Sequence, residues 1–342
     1  MANTAYAGNN TRAHTGGSLA DAANTKEEHL EIYQGEIETA FAYNAIFKSL
    51  STQRSVADRS NTYRIDRMGG AVVKGRTVGT ALEATKITNE KLLIVVDTVL
   101  YTRHPIDYQD DWTSPDWLSE MGQVDGKAFA ETFDQAHIIQ LQKMAEWTAP
   151  AHLKVGKAFF DGASVSATVK ATPASEAELE ANAYALEAAH KAAVNLLVKR
   201  KMPMSSVVTL VNPDIFDALS YHPKLKDQSF STVDGGTYAD RRITRLNGVP
   251  VIECTEFPEA GVAITAHPLG DSFKATAEQT KGEMILFSKE KTLVTVEAKP
   301  FTTDFWDDKK EFNNVLDAYA MYNVGARRPD TCIPVRVTRS AT

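Results

Sequence analysis

Long helices with one apolar face, compact apolar strands, and a glycine-studded stretch too poor in large apolar groups to core itself predict a mixed α+β chain. The expected architecture is two packed regions, a long N-terminal arm and a long exposed ribbon. At 342 residues the chain can bury a sizeable core, and 43% apolar with 24% charged residues is ordinary for a soluble globular protein. No run approaches the roughly 18 apolar residues that cross a bilayer. The start, MANTAYAGNNTRAHTGG, holds no apolar segment of signal-peptide length, so neither a membrane nor export is expected. Cys254 and Cys332 show no metal-ligand spacing and read as buried free thiols of a reducing cytoplasm. A net charge of -7 argues against a general nucleic-acid binder.

Taken in order, residues 1–25 are rich in Ala, Asn, Thr and Gly and are expected to be mobile in a lone subunit. Leu30, Tyr33, Ile37, Phe41 and Phe47 recur at near-helical spacing and predict a short amphipathic helix within 26–50. Between residues 59 and 106, Tyr63, Ile65, Val72, Val73, Val78, Ile87 and the Leu92–Leu100 run favour strands. Gly69, Gly70, Gly75 and Gly79 interrupt them, and such a ribbon must lean on something else. Ser114 as cap and Pro115 at the first position open one long helix over 114–147. Its apolar face carries Trp117, Met121, Val124, Phe133, Ile139, Leu141 and Met144, with Gly122 and Gly126 as weak points. A second helix covers about 176–201, with Ser175 and Glu178 as a capping box and Leu179, Leu186, Ala193 and Leu197 as its stripe. SVVTLV at 206–211 is a buried strand, and Asn212-Pro213 starts another helix. Asn247-Gly248 turns into an apolar strand, and 282–301 supplies two strands around a charged turn. No repeat of fixed period occurs. The end, from Val315 to Val337, is ambiguous: period-2 alternation suits a strand, while LDAYAMY also suits a helix.

Catalytic signals are weak. GGAVVKGRT lacks the order of a phosphate-cradling loop, and a flexible hairpin bend explains it better. HPIDYQDDW clusters three aspartates and a histidine, where an acidic solvated loop is the default over a metal site. His137 and His190 lie on helices as packing or surface residues. No serine-centred elbow occurs, and no cofactor is implied. One charge pattern stands out. Residues 54–76 carry Arg54, Arg59, Arg64, Arg67, Lys74 and Arg76 against two acidic groups. Residues 107–134 carry eight acidic groups, among them Asp110, Asp111, Asp116 and Glu120, against Lys127. Both could be solvated faces. Alternatively, the basic ribbon of one copy lies on the acidic helix of the next, a head-to-tail contact that generates closed rings.

The order of GEIETAFAYNAIFKSLSTQRSV, the Gly75-Arg76-Thr77 step, NPDIFDAL, LNGVPVIECTEFP and AYAMYNVGARRPD resembles the major capsid proteins of T7-like podoviruses, a branch of the HK97-type capsid fold. The resemblance runs from about Leu30 to Val337. The first 25 residues and the acidic stretch at 304–311 depart from it.

It implies an N-terminal arm (1–60), an extended loop (61–97), a peripheral domain with a spine helix (98–175), an axial domain (176–290) and return strands (291–342). It also decides for a strand over 315–326, with Pro329 fixing the bend where that strand leaves its sheet. The implied protein is a non-enzymatic virion component that assembles in the host cytoplasm. Copies would form pentamers and hexamers, with a scaffolding protein during assembly and a portal protein at one vertex, and enclose double-stranded DNA. The interface residues expected are Arg59, Arg64, Arg67, Lys74, Arg76, Asp110, Asp111, Asp116 and Glu120. Lys74 is read as solvated or ion-paired rather than as a Lys–Asn crosslink. The competing readings are an encapsulin-type compartment and a soluble nucleotide-binding enzyme.

Overall fold

The computed structural model describes residues 33–41, 44–56, 60–84, 86–107, 117–223 and 245–340. The expected mobile N-terminus, Ser114, Pro115 and most of HPIDYQDDW lie outside the described residues. Helix α1 (33–41) and the short α2 (Phe47–Leu50) precede β1 (Thr52–Ser55), β2 (Thr62–Met68), β3 (Asn89–Val95) and β4 (Leu100–Asp107). Next come α3 (Trp117–Lys143), α4 (Ala151–Lys154), β5 (Val165–Lys170), α5 (Glu176–Lys199), β6 (Val207–Val211) and α6 (Pro213–Ser220). The chain continues with β7 (Arg245–Leu246), β8 (Val249–Glu253), α7 (Ala277–Thr280) and β9 (Gly282–Ser288). It closes with β10 (Leu293–Asp308), β11 (Asn313–Ala326) and β12 (Cys332–Ser340). Two compact units result. One holds Met1–Ala45, Val99–Phe133 and Lys299–Met321; the other holds Ile46–Thr98, Asp134–Ala298 and Tyr322–Thr342.

In the first unit, β4 pairs antiparallel with β11, from Leu100 opposite Ala320 to Asp107 opposite Asn313. Leu316, Ala318 and Ala320 are buried, while Asp317 and Tyr319 are half-buried on the other face. This period-2 burial answers the ambiguity of the sequence in favour of the strand. An aromatic group fills the core: Phe41 meets Phe133 edge-on at 5.3 Å, and Phe301 lies 4.6 Å from Phe41 and 4.9 Å from Phe129. Gly122 and Gly126 are not weak points of α3. A Cβ on Gly126 would stand 2.7 Å from both Ala40 Cβ and Ile37 O, and one on Gly122 would stand 3.0 Å from Glu36 Cβ. The missing side chains let the backbone of α1 lie directly on α3. Val124, expected in the apolar face, is 67% exposed; Phe133 buries as expected, together with Phe129. The buried Asp125 accepts hydrogen bonds from Tyr33 Oη and, at 3.0 Å, from His104 Nε2.

The second unit is built on a six-stranded sheet in the order β5-β12-β9-β6-β8-β7. Every residue of β6 and β9 is buried, which is why both read as continuous apolar runs rather than as alternating ones. Leu186, Ala193 and Leu197 of α5 pack with Val207, Val211, Ile215, Leu219, Ile333 and Val335. Asn247 (φ 47°) and Gly248 (φ 81°) make the two-residue turn between β7 and β8 that Asn-Gly predicts. One expectation needs correction. Ser175 makes no side-chain cap; Glu178 instead accepts from Ala174 N at 2.7 Å and pairs with Lys170 at 2.6 Å. A reciprocal capping box forms instead between Thr276 and Gln279 on α7. At the far side of the sheet β5 and β12 run parallel, and β12 pairs antiparallel with β9.

The helical histidines are packing residues. His137 Nε2 lies 2.7 Å from Thr295 Oγ1, and its ring stacks 4.9 Å from Phe47. His190 Nδ1 accepts from Asn247 Nδ2 at 3.1 Å while Nε2 donates to Thr209 Oγ1 at 2.9 Å, and burial pushes its pKa down to about 4. Cys254 and Cys332 are buried and free, and burial pushes Cys254 up to about 12. Among the described residues no helix is long and apolar enough to cross a membrane, and no cluster of side chains could hold a metal.

Candidate subunit interface

The basic ribbon is an antiparallel hairpin, with β2 and β3 paired from Thr62 opposite Val95 to Met68 opposite Asn89. The described residues between Gly70 and Asn89 form no helix, so GGAVVKGRT opens onto no helix N-terminus that could cradle phosphate. Past Gly70 the ribbon carries its apolar side chains in the open: Val73 is 97% exposed, Val78 101% and Leu82 82%. Gly75 and Gly79 have nothing within 4 Å of where a Cβ would lie. The tip is closed locally by Thr80, whose N–H donates to Thr77 O at 3.2 Å, and by the Lys74–Glu83 ion pair at 2.8 Å.

The root differs. Gly70 N donates to Val155 O at 3.1 Å and Thr88 Oγ1 donates to His152 O at 3.1 Å. A Cβ on Gly70 would lie 2.7 Å from Val155 O, so glycine is required where the ribbon crosses that segment. Ile94 covers Gly325, whose absent Cβ would stand 2.3 Å from Ile94 Cδ1, and Asn323 Nδ2 donates to Val95 O at 2.6 Å. Arg67 completes the clamp. Its Nε donates to Arg327 O at 2.9 Å and its Nη2 to Ala326 O at 2.6 Å, with the guanidinium 5.4 Å from the centroid of Trp147.

Arg67 is therefore not a free basic group of the ribbon surface. Its side chain is 8% exposed, and burial lowers its pKa against the opposing pull of Glu90 and Asp330. Arg64 is exposed and forks onto Asp66 at 3.0 and 3.2 Å. Arg76 donates to Thr80 O at 2.6 Å, and Glu120 is exposed near the start of α3. Arg59, Asp110, Asp111 and Asp116 lie outside the described residues.

The Arg-Arg-Pro-Asp step is the other half of the root. Pro329 opens a single 3-10 turn, and Arg328 pairs with the buried Asp330 at 2.9 Å while donating to Ala158 O at 2.7 Å. Arg200 reaches Asp330 O at 2.5 Å and Asp161 O at 2.8 Å. Sequence reading missed Trp147, Glu90 and this hub. The one local signal was the opposition of Arg67 and Glu90 across the hairpin.

The hairpin, clamped at its root, carries bare apolar side chains beyond it, the kind of exposed surface that marks interaction sites. The comparisons supply the class of protein. The chain is similar to the bacteriophage PhiM1 mature capsid protein, with 38% identity and a TM-score of 0.75 over 86% of this chain and 88% of that one. It is similar to the capsid protein of cyanophage P-SCSP1u, with 18% identity and a TM-score of 0.71 over 86% and 89%. A virus-like particle protein from Pyrococcus furiosus shares the fold alone, at 8% identity and a TM-score of 0.50 over 90% and 99%. No protein-family model and no curated protein matches the chain. The chain belongs to the family of bacteriophage major capsid proteins with the HK97-like fold.

Proposed function

We propose that this capsid protein is of the T7-like podovirus type and joins in pentamers and hexamers to close an icosahedral shell around double-stranded DNA. The observation that carries the reading is the ribbon beyond Gly70: Val73, Val78 and Leu82 have no cover among the described residues. A neighbouring subunit covers them, and each ribbon contact repeats at every subunit boundary. In this reading residues 1–60 are the arm, 61–97 the extended loop, and α3 the spine of the peripheral domain. The axial domain is 176–290, with β5 and β12 joining its sheet. A scaffolding protein assists assembly in the bacterial cytoplasm and a portal protein occupies one vertex. The net acidic chain suits a shell that confines DNA without gripping its phosphates.

The test is electron microscopy of the purified protein, followed by nuclease treatment of particles recovered from an infected host. Uniform shells or hexameric rings, with nuclease-protected DNA inside, are expected. Stable monomers would overturn the shell, and particles filled with protein instead of DNA would overturn the virion role.

A further inference from the structure

The basic residues of the ribbon do two different jobs. Arg64, Lys74 and Arg76 are exposed and find partners within the ribbon itself, at Asp66, Glu83 and Thr80. Arg67 points the other way, into the body, and spans two successive main-chain carbonyls at the end of β11. The planar fork of a guanidinium suits that task, because two parallel N–H bonds fix orientation as well as distance. Trp147 covers one face of the cation, and Glu90 stands opposite on β3, 3.8 Å from Nη1. The next clamp, just past β2, is Gly70 on Val155, and at the other end of the hairpin Asn323 holds Val95 on β3. Between these points the ribbon is hydrogen-bonded to the body; past Gly70, Val73, Val78 and Leu82 are exposed.

We propose that Arg67 is a positioning residue. Seated on the Ala326 and Arg327 carbonyls, it sets the direction in which the ribbon leaves the body. Where the shell reading holds, it thereby sets the geometry of each subunit contact. The lever is long: the tip at Gly79 lies twelve residues beyond Arg67 in sequence, so a small rotation at the root moves the apolar tip by several ångströms. Subunits with a loose root would still expose Val73, Val78 and Leu82 but present them at scattered angles.

The experiment reads direction and assembly separately. Spin labels are placed at Val78→Cys and Ala188→Cys, both exposed; the native Cys254 and Cys332 are buried and remain unlabelled. Pulsed dipolar spectroscopy on the isolated subunit then gives the distance distribution between ribbon tip and body. A narrow distribution is expected for the parent and for Arg64→Ala. Arg67→Ala should broaden it at least twofold, and Arg67→Lys, which keeps the charge but loses the fork, should fall between. Asn323→Ala removes one clamp from a half-buried side chain and should broaden it less, with folding intact by circular dichroism. In assembly, Arg67→Ala should lose at least tenfold in uniform shells and form particles of mixed diameter, while Arg64→Ala assembles as the parent does. A folded Arg67→Ala subunit with the parent's distance distribution overturns the inference. If Arg67→Ala does not fold, unchanged distances in both Arg67→Lys and Asn323→Ala overturn it. A parent with a narrow distribution that never forms shells refutes the shell reading and leaves the anchoring role standing.

Discussion

His190 and Asp134 are both fully buried, and they pull stability in opposite directions as the solution is acidified. His190 holds its neutral form between Thr209 and Asn247. With a folded pKa near 4, the unfolded chain takes up the proton first, so its contribution is complete above pH 6.5 and is lost as pH falls toward 4. Asp134 accepts from the N–H groups of Ile46 at 2.9 Å and Phe47 at 3.1 Å, yet burial raises its pKa to about 6 against those bonds. The fold therefore favours its protonated form, and stability rises as pH falls from 6 toward 4. Each shift corresponds to about 3 kcal/mol at 1.36 kcal/mol per pH unit, so the two nearly cancel in the parent. His190→Gln should be destabilised at pH 7.5 and approach the parent at pH 4.5. Asp134→Asn, which mimics the protonated carboxyl that the fold favours, should match or exceed the parent at pH 7.5 and lose that advantage by pH 4.5. Thermal melts at the two pH values measure both, and parallel curves would show that neither site perturbs its group. None of this was legible in the sequence. A histidine on an apolar helix face announces burial, but its partners Thr209 and Asn247 come from a strand and a turn far along the chain.

At the scale of elements, α1 and α3 pack by contact of backbone on backbone, and the glycines of α3 decide whether they can. Alanine is the better helix former by about 1 kcal/mol, so propensity alone says that Gly126→Ala stabilises. The space says otherwise, since its Cβ would stand 2.7 Å from both Ala40 Cβ and Ile37 O. Overpacking of this kind costs about 1–3 kcal/mol, and Gly126→Ala should lower the melting temperature by several degrees. Gly122→Ala, with 3.0 Å to Glu36 Cβ, should cost less, and Gly75→Ala, in open space, should cost nothing measurable. A Gly126→Ala variant as stable as the parent would mean that α1 does not rest on α3 as described. The two long helices, the Asn247-Gly248 hairpin, β6 and the strands after residue 282 were readable because periodicity and turn chemistry are local. Helix ends were less so: Glu178 caps through Ala174 rather than Ser175, and the real box at Thr276 and Gln279 passed unnoticed beside a four-residue helix. Gly122 and Gly126 were misread because a glycine's cost is written in sequence and its use lies in a neighbour.

For the whole molecule, the fold class was legible from the order of elements, while the role of each ribbon charge was not. Burial separates Arg67 from Arg64 three residues away, and only the body can impose that difference. The arm and the charge pattern carry the remaining tests. Deleting residues 1–25 should impair the yield or uniformity of shells while leaving the melting temperature within a few degrees of the parent's. A truncated subunit that melts far lower would assign the arm to the core. A test of the charge pattern has to spare Arg67, since reversing it would leave an acid on the Ala326 and Arg327 carbonyls and unsettle the root for reasons unrelated to contact between copies. Arg64→Glu with Arg76→Glu removes the exposed charges alone. A single exposed pair is worth about 0–1 kcal/mol, too little to decide assembly by itself. A closed shell repeats the pair at every boundary, and ring closure makes the copies act together. The double reversal should block or delay shell formation in a subunit whose circular dichroism is unchanged. Reversal of Asp110, Asp111, Asp116 and Glu120 to Lys should restore part of it. Salt should act in the same direction as the reversal, because the screening length falls from about 10 Å at 0.1 M to about 3 Å at 1 M. Light scattering at the two ionic strengths, run on parent, reversed and rescued subunits, separates the cases. Normal assembly of the reversed subunit would make both faces merely solvated and leave the bare apolar tip as the whole of the contact.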